Sequence, residues 1–206
     1  MCIRDSSSTS EIIFTSGTTH SINLISNGFI KFLKKNDEII VSQLEHHSNI
    51  VPWQMLCEKT GAIMKVIPMN EKGELDISKF SSLLSNKTKV VFVNHVSNAL
   101  GTVNPIKTII DKSHQAGAAV LIDGAQAAPH FEIDVRKLDV DFYVCSAHKL
   151  CGPTGVGILY GKKELLEQTK NLNHEFLQGD VPYTLNPGGP NHEELACLSG
   201  ITDYYE

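Results

Sequence analysis

Short apolar stretches alternate with longer amphipathic stretches along most of this chain, and this alternation limits the folds that it can adopt. Apolar stretches of strand length occur at residues 11–14, 38–41, 62–67, 89–93, 119–122, 142–145 and 157–160. Intervening segments carry apolar residues at helical spacing, as over residues 22–33. Strands that alternate with helices through short loops form a parallel sheet with helices on both faces. The chain is therefore predicted to have an α/β fold with a mostly parallel sheet.

The last predicted strand, residues 157–160, differs from the others in how it is connected. It follows the strand at 142–145 through a Gly- and Pro-rich turn at residues 152–155. A parallel return needs a crossover of about a dozen residues, usually a helix, and this turn is too short for one. We therefore predict that the strand at 157–160 is antiparallel.

Composition excludes several classes of function. The chain has 206 residues, a formal net charge of −5 and 41% hydrophobic residues, which fits one globular domain or part of a larger protein. The mild acidity gives no reason to expect nucleic acid or a membrane surface as a partner. No apolar run approaches the ~18 residues that suggest a membrane span.

The cysteines are too few and too scattered for a disulfide framework. There are five, an odd number, so a reducing cytoplasm is the expected location. Cys145, His148 and Cys151 lie close together in sequence. They lack an evident fourth ligand and the chain has no C-x-x-C motif, so no metal site is predicted.

Polar residues directly follow the predicted strands. In a parallel sheet the carboxyl ends of the strands meet at one edge, and ligands bind just beyond it. We therefore expect the polar residues that follow these strands to form one site. These residues are Thr18, Thr19, His46, Asn98, Asp123, Gln126, Ser146, His148 and Lys149.

The chemistry of these residues points to one cofactor. Asp123 ends an apolar strand, where a carboxylate is costly unless a cation such as a pyridinium nitrogen pairs with it. Lys149 follows another buried strand, and a lysine with a lowered pKa is what a Schiff-base enzyme needs. The helix start near Thr18, together with Ser146 and His148, suits a phosphate. These residues together predict a pyridoxal phosphate site.

Each of these residues also has an ordinary structural interpretation. Asp123 could cap a helix, His46 could be a loop residue without a role, and Ser146 could form a turn. The pyridoxal phosphate interpretation rests on their joint occurrence, with His46 stacked on the ring face and Gln126 at the ring hydroxyl.

Longer motifs resemble a known family. They are S-G-T-T-H-S-I-N-L at 16–24, Q-L-E-H-H-S-N-I-V-P-W-Q at 43–54, H-V-S-N-A-L-G at 95–101, D-G-A-Q-A at 123–127 and S-A-H-K-L-C-G-P-T-G-V-G-I-L-Y at 146–160. In this order they resemble the class V aminotransferase group of pyridoxal-phosphate enzymes. Within that group they are most similar to the cysteine desulfurases, which share their pattern with selenocysteine lyases.

The resemblance implies a fold and a set of roles. The fold would be a three-layer, PLP-transferase-like large domain. Lys149 would bond to the cofactor's aldehyde, and His46 would stack on the pyridine ring and take part in proton transfer. Asp123 would pair with the ring nitrogen. The resemblance also implies that Gln126 and Asn98 lie at the ring oxygen, and that the phosphate is held by Thr18, Thr19, Ser146 and His148.

The resemblance also implies an activity. Members of this family release sulfur from L-cysteine, leaving L-alanine and an enzyme persulfide that serves iron–sulfur cluster assembly and sulfur transfer. A homodimer and a sulfur-acceptor protein are the expected partners. Other activities of the class remain open, namely selenocysteine lyase, another lyase or an epimerase, as does a non-catalytic remnant that folds without cofactor.

The chain departs from the family pattern in several places. Family chains are about twice as long, and the small C-terminal domain, with its nucleophilic cysteine, is not expected here. We therefore predict that none of the five cysteines accepts sulfur, Cys151 being the weakest case because of its closeness to Lys149. Ala147 replaces a family glycine, and Gly189 replaces a threonine that reaches the partner subunit's phosphate.

The predicted organisation has three parts. Residues 1–10 are polar and Ser-rich, and we expect a disordered lead-in there that need not belong to the native fold. Residues 11–170 would form the cofactor-binding large domain. Residues 171–206 would form a divergent tail of the same domain.

Overall fold

The computed structural model describes residues 6–177, 180–186 and 188–205, and its centre is a seven-stranded sheet. The strands are β1 Ile12–Thr15, β2 Glu38–Ser42, β3 Ile63–Ile67, β4 Thr88–Asn94, β5 Ala119–Asp123, β6 Phe142–Ser146 and β7 Gly157–Gly161. Their order across the sheet is β1-β7-β6-β5-β4-β2-β3. The α/β fold predicted from the sequence is confirmed.

Helices cover both faces of this sheet. They are α1 Thr18–Gly28, α2 Val51–Thr60, α3 Ile77–Leu83, α4 Ile106–Gln115, α5 Val135–Leu138, α6 Lys163–Gln168, α7 His192–Ala196 and α8 Leu198–Tyr205. Short 3₁₀ turns occur at Thr9–Glu11, Phe29–Lys31, His47–Asn49, Ala147–Leu150, Glu175–Leu177 and Tyr183–Leu185.

Strand directions confirm the prediction of one antiparallel strand. β7 is antiparallel to both of its neighbours, β6 and β1. The pairs β2–β3, β2–β4, β4–β5 and β5–β6 are all parallel. β1 therefore runs in the same direction as β6, and β7 alone is reversed.

The sheet separates two apolar layers, which explains why its central strands are apolar throughout. In β4, Val91 and Val93 face the layer that includes α4, whereas Val90 and Phe92 face the layer that includes α1 and α2. In the second layer the Trp53 ring stacks on Phe92 with ring centroids 4.7 Å apart. A strand buried on both faces needs apolar residues at every position. The predicted three-layer architecture is confirmed.

Some predicted boundaries move by a few residues. β1 starts one residue later than predicted, because Ser8 and Glu11 form a capping box around the turn Thr9–Glu11. The helix predicted over 22–33 starts earlier, at Thr18, and becomes a 3₁₀ turn after Gly28. Residues 1–5 of the predicted lead-in lie outside the described residues. The division of the chain at residues 10 and 170 stays a prediction.

Two further observations apply to the described ranges only. Among them, no helix is both long enough and apolar enough to cross a membrane. In the same ranges, no group of three or more His, Cys, Asp and Glu side chains is arranged to hold a metal ion.

Candidate functional site

A cleft of about 210 Å³ lies at the carboxyl ends of the parallel strands β2, β4, β5 and β6. Every residue of the predicted site lines it. The lining residues are Thr18, Thr19, His46, Ser48, Asn94, Val96, Asn98, Asp123, Ala125, Gln126, Ser146, His148 and Lys149. The structure thus brings together side chains from widely separated parts of the chain, while the role of each stays a prediction.

A larger cavity of about 550 Å³ lies at the opposite edge of the sheet, lined in part by His114, Asp141 and Lys162. Three of its ionisable side chains already have partners. His114 Nε2 is 2.8 Å from Asp141, and Lys162 Nζ lies 2.6 Å from Asp139 and 2.9 Å from Asp141. Because these three groups already satisfy one another, we place the functional site at the smaller, carboxyl-edge cleft, which every predicted site residue lines.

The start of α1 forms one end of the cleft. The Thr18 backbone N–H donates to Ser146 Oγ at 2.8 Å, and the Thr18 and Ser146 hydroxyls are also 2.8 Å apart. Two glycines allow this close approach. A Cβ atom on Gly157, the β7 partner of Ser146, would lie 2.4 Å from the Gly17 Cα. A helix N-terminus with these two hydroxyls beside it suits an anion such as a phosphate.

Asp123 is the acid in the middle of the cleft. It ends β5, is 6% exposed, and its Oδ1 accepts one backbone hydrogen bond, 2.9 Å from Ala125 N. Burial raises the pKa of Asp123 above its ordinary value, although the Ala125 N–H and the Lys149 charge oppose that rise. A buried carboxyl with this environment would gain stability from a cationic group bound in the cleft.

Lys149 lies in the 3₁₀ turn Ala147–Leu150, directly after β6. The turn is tied to the structure at both ends, because Ala147 N–H donates to Val156 O and Gly152 N–H donates to Ala147 O, each at 2.9 Å. The lysine is half-buried and its neighbour His148 is exposed. Ala147 is fully buried.

His46 and His47 form a pair at the mouth of the cleft. Their ring centroids are 4.1 Å apart, with the planes inclined by 34°. Partial burial lowers the pKa of His46, and the nearby His47 and Lys149 lower it further. His46 is therefore held as a neutral ring at the pH of a cell.

Glu45 supports the cleft residue Asn94, and the sequence analysis missed it. Its carboxylate accepts hydrogen bonds from the Ser42 hydroxyl, from Asn49 Nδ2 at 2.7 Å and from Asn94 N at 2.7 Å. Burial raises the pKa of Glu45 to about 8, with a further contribution from the Asp123 charge. The signal in the sequence was a glutamate between a buried strand and two histidines.

Asn94 connects this carboxylate to the cleft. It ends β4 and is the register partner of Asp123 on β5. Its Oδ1 accepts from Asn104 Nδ2 at 2.6 Å, and its own Nδ2 donates to Leu44 O. The loop that carries His46 is thereby fixed to the strand ends that carry Asp123.

The cysteines differ in exposure. Burial and the charge of Glu58 raise the pKa of the half-buried Cys57 thiol, and Cys145 is buried in β6. Cys151 and Cys197 are exposed, and Cys2 lies outside the described residues. That none of them accepts sulfur stays a prediction.

Comparison with known proteins identifies the family. The model of the Aminotransferase class-V family matches residues 4–199. The chain belongs to this family. Its members are pyridoxal-phosphate enzymes, and their fold is the three-layer arrangement described above.

Named relatives make the family relationship more specific. The chain is 45% identical to a cysteine desulfurase of Cronobacter sakazakii, over 95% of this chain and 52% of the relative. It is 43% identical to a probable cysteine desulfurase of Synechocystis, over 94% of this chain and 49% of the relative. The chain thus spans about half the length of the curated relatives that it matches.

Solved structures agree with this relationship. The cysteine desulfurase CsdA of Escherichia coli matches with a TM-score of 0.90 at 38% identity, over 96% of this chain and 53% of that chain. SspA, solved in complex with cysteine, matches with a TM-score of 0.83 at 27% identity, over 94% of this chain and 55% of that chain.

Proposed function

We propose that this chain forms the cofactor-binding large domain of a pyridoxal-phosphate-dependent cysteine desulfurase. The proposed reaction converts L-cysteine to L-alanine and leaves the sulfur bound to the enzyme. One observation carries the proposal: a buried acid, a lysine, a neutral histidine and a helix N-terminus converge on one cleft, in a chain whose relatives are named cysteine desulfurases.

The donor set of the cleft fits pyridoxal phosphate. Asp123 offers a buried carboxyl for a protonated ring nitrogen, and the α1 start offers the Thr18 and Ser146 hydroxyls for a phosphate. Lys149 offers an amine for the aldehyde. When bound, the cofactor supplies an electron-withdrawing ring that stabilises negative charge on the adjoining substrate carbon.

The chain's own residues then have distinct tasks. Asp123 would hold the proton on the ring nitrogen, since a carboxylate beside that nitrogen favours its charged form. His46 would cover the ring face and exclude water from it. Lys149 Nζ would anchor the aldehyde carbon and move protons at the adjoining substrate carbon.

The later steps and the partners belong to the same proposal. Sulfur would pass to a cysteine thiolate of the full-length protein and then to an acceptor protein, for iron–sulfur cluster assembly. The enzyme would act as a homodimer in the cytoplasm. The 45% identity to a named cysteine desulfurase and the cysteine-bound state of SspA support L-cysteine as the substrate.

The test is the position of the cofactor on the protein. The purified chain is mixed with pyridoxal phosphate, reduced with borohydride and mapped by peptide mass spectrometry. We expect the label on Lys149 and a visible absorption band that Lys149→Ala abolishes. Lys163→Ala, at an exposed lysine on α6, is the matched control and should keep the band. Labelling of another lysine, with the band unchanged in Lys149→Ala, would contradict the proposal.

A further inference from the structure

The backbone just after His46 constrains where the imidazole carries its proton. His46 is the N-cap of the 3₁₀ turn His47–Asn49, with extended backbone angles of φ −65° and ψ 142°. Its Nδ1 accepts a hydrogen bond from the Ser48 backbone N–H at 3.2 Å and lies 2.7 Å from Ser48 Oγ. A backbone N–H can only donate, so Nδ1 must present its lone pair.

A neutral imidazole carries one proton, and if Nδ1 is the acceptor then Nε2 is the N–H. We propose that Ser48 is a positioning residue that fixes His46 as the Nε2–H tautomer, so that His46 presents a hydrogen-bond donor to the cleft and not a base. The identity of the group that accepts this hydrogen bond rests on the proposed function. The tautomer itself does not.

The competing tautomer is disfavoured by the same geometry. With a proton on Nδ1, the ring could donate to Ser48 Oγ at 2.7 Å, but that proton would also face the Ser48 N–H across 3.2 Å. Two donors directed at each other lose a hydrogen bond and gain repulsion. The hydroxyl can rotate to donate to Nδ1, whereas the backbone N–H cannot reverse, so the backbone decides the tautomer.

The charges around the ring disfavour a second proton. The His47 ring lies against it, with the ring centroids 4.1 Å apart, and Lys149 shares the cleft. The two nearby carboxyls do not pair with it, because Glu45 accepts from Ser42, Asn49 and Asn94, and Asp123 accepts from Ala125. Burial, His47 and Lys149 all lower the pKa of His46. The neutral ring with its proton on Nε2 is therefore the resting form.

Nε2 has no hydrogen-bond partner among residues 6–177, 180–186 and 188–205. A donor without a partner on a cleft wall is suited to an anionic oxygen or sulfur of a bound molecule. For the proposed reaction this makes His46 a hydrogen-bond donor to an anionic atom of the substrate or the cofactor.

The tautomer can be measured directly without cofactor. The chain is labelled with ring-¹⁵N histidine, and two-bond ¹⁵N–¹H correlations are recorded at pH 8, with the His46 signals assigned from His46→Asn. We expect Nε2 to be protonated and Nδ1 unprotonated, both in the parent chain and in Ser48→Ala, which keeps the backbone N–H. A protonated Nδ1 in the parent chain would overturn the proposal, and so would a tautomer that changes in Ser48→Ala.

A second measurement tests the hydrogen bond itself. Asparagine can accept the Ser48 N–H as an N-cap, whereas leucine cannot. We expect His46→Leu to lower the thermal midpoint of the cofactor-free chain by about 2–4 °C relative to His46→Asn. Equal midpoints would show that Nδ1 does not accept the bond. Because both measurements omit the cofactor, their failure is separate from failure of the proposed function.

Discussion

Glu45 makes a prediction about stability that can be worked out from its surroundings. Its carboxyl accepts from Ser42, Asn49 and Asn94, which belong to β2, to the turn before α2 and to β4. These hydrogen bonds lower the pKa of Glu45, but burial has the larger effect and raises the pKa from 4.5 to about 8. In the unfolded chain the group is solvated and titrates near 4.5. The experiment therefore varies the pH and compares the stability of the parent chain with that of Glu45→Gln, which cannot titrate at this position.

The sign follows from proton binding in the two states. Between pH 4.5 and 8 the folded chain keeps a proton on Glu45 that the unfolded chain releases. The free energy of unfolding therefore falls as pH rises, by up to ~1.4 kcal/mol per pH unit from this group. Over the whole interval the loss is at most ~5 kcal/mol, and water reaching this partly exposed side chain reduces it.

Glu45→Gln removes this dependence and introduces a cost of its own. The Ser42 hydroxyl and the Asn94 N–H both donate to one oxygen of Glu45, and Asn49 Nδ2 donates to the other. If the glutamine oxygen occupies the first position, the glutamine NH₂ faces the Asn49 NH₂. Two donors facing each other cost ~1–3 kcal/mol. The parent chain should be the more stable at pH 5, and the difference should shrink or reverse by pH 8.

The assay is urea unfolding of both chains between pH 5 and 8. Taking the difference between them cancels other titrating groups, such as His95, whose pKa burial lowers to about 4. Glu58→Gln, at an exposed position of α2, is the control and should leave the slope of stability against pH unchanged. Parallel curves for the parent and Glu45→Gln would mean that the folded chain holds Glu45 ionised, and the reasoning would be wrong.

Three further predictions concern the cleft and its supports. Asp123→Asn should weaken pyridoxal phosphate binding by about 10- to 100-fold, because a hydrogen bond to a charged group is lost. A spectral titration measures the binding. A large drop in the thermal midpoint of the cofactor-free chain would instead mark Asp123 as a structural residue. Gly157→Ala should cost about 1–3 kcal/mol or more, because its Cβ would lie 2.4 Å from Gly17 Cα. Gly200→Ala, in open space on α8, should be neutral or stabilising in the same denaturation assay; equal effects would refute the close-approach argument. Cys151 is exposed, and we predict that it is not the sulfur-accepting thiol. It should carry no persulfide after incubation with pyridoxal phosphate and L-cysteine, and trapping a persulfide there would contradict this.

The network under the cleft suggests why a glutamate stands before the histidine pair. Glu45 and Asn94 connect the end of β2 to the end of β4, and β4 is paired with β5 at Asp123. Two groups proposed to contact one ring, His46 and Asp123, thus share a common support. Such support holds functional side chains to the small tolerances that catalysis needs.

Local patterns in the sequence determined the architecture. Uninterrupted apolar strands alternating with amphipathic helices specify a sheet covered on both faces, because each strand residue meets a core layer. The short turn at 152–155 specified the antiparallel β7, since no helix fits in it. The position of polar residues just after strands specified which side chains share an edge, because all parallel strands end on the same side.

The tertiary structure alone decided how distant segments meet. β1 lies at the sheet edge beside β7, far from it in sequence, and no local pattern specifies that pairing. The Thr18–Ser146 and Glu45–Asn94 hydrogen bonds likewise join residues far apart in the chain. Whether a buried polar group is satisfied, and so what its pKa becomes, depends on such partners, which exist only once the strands are ordered side by side.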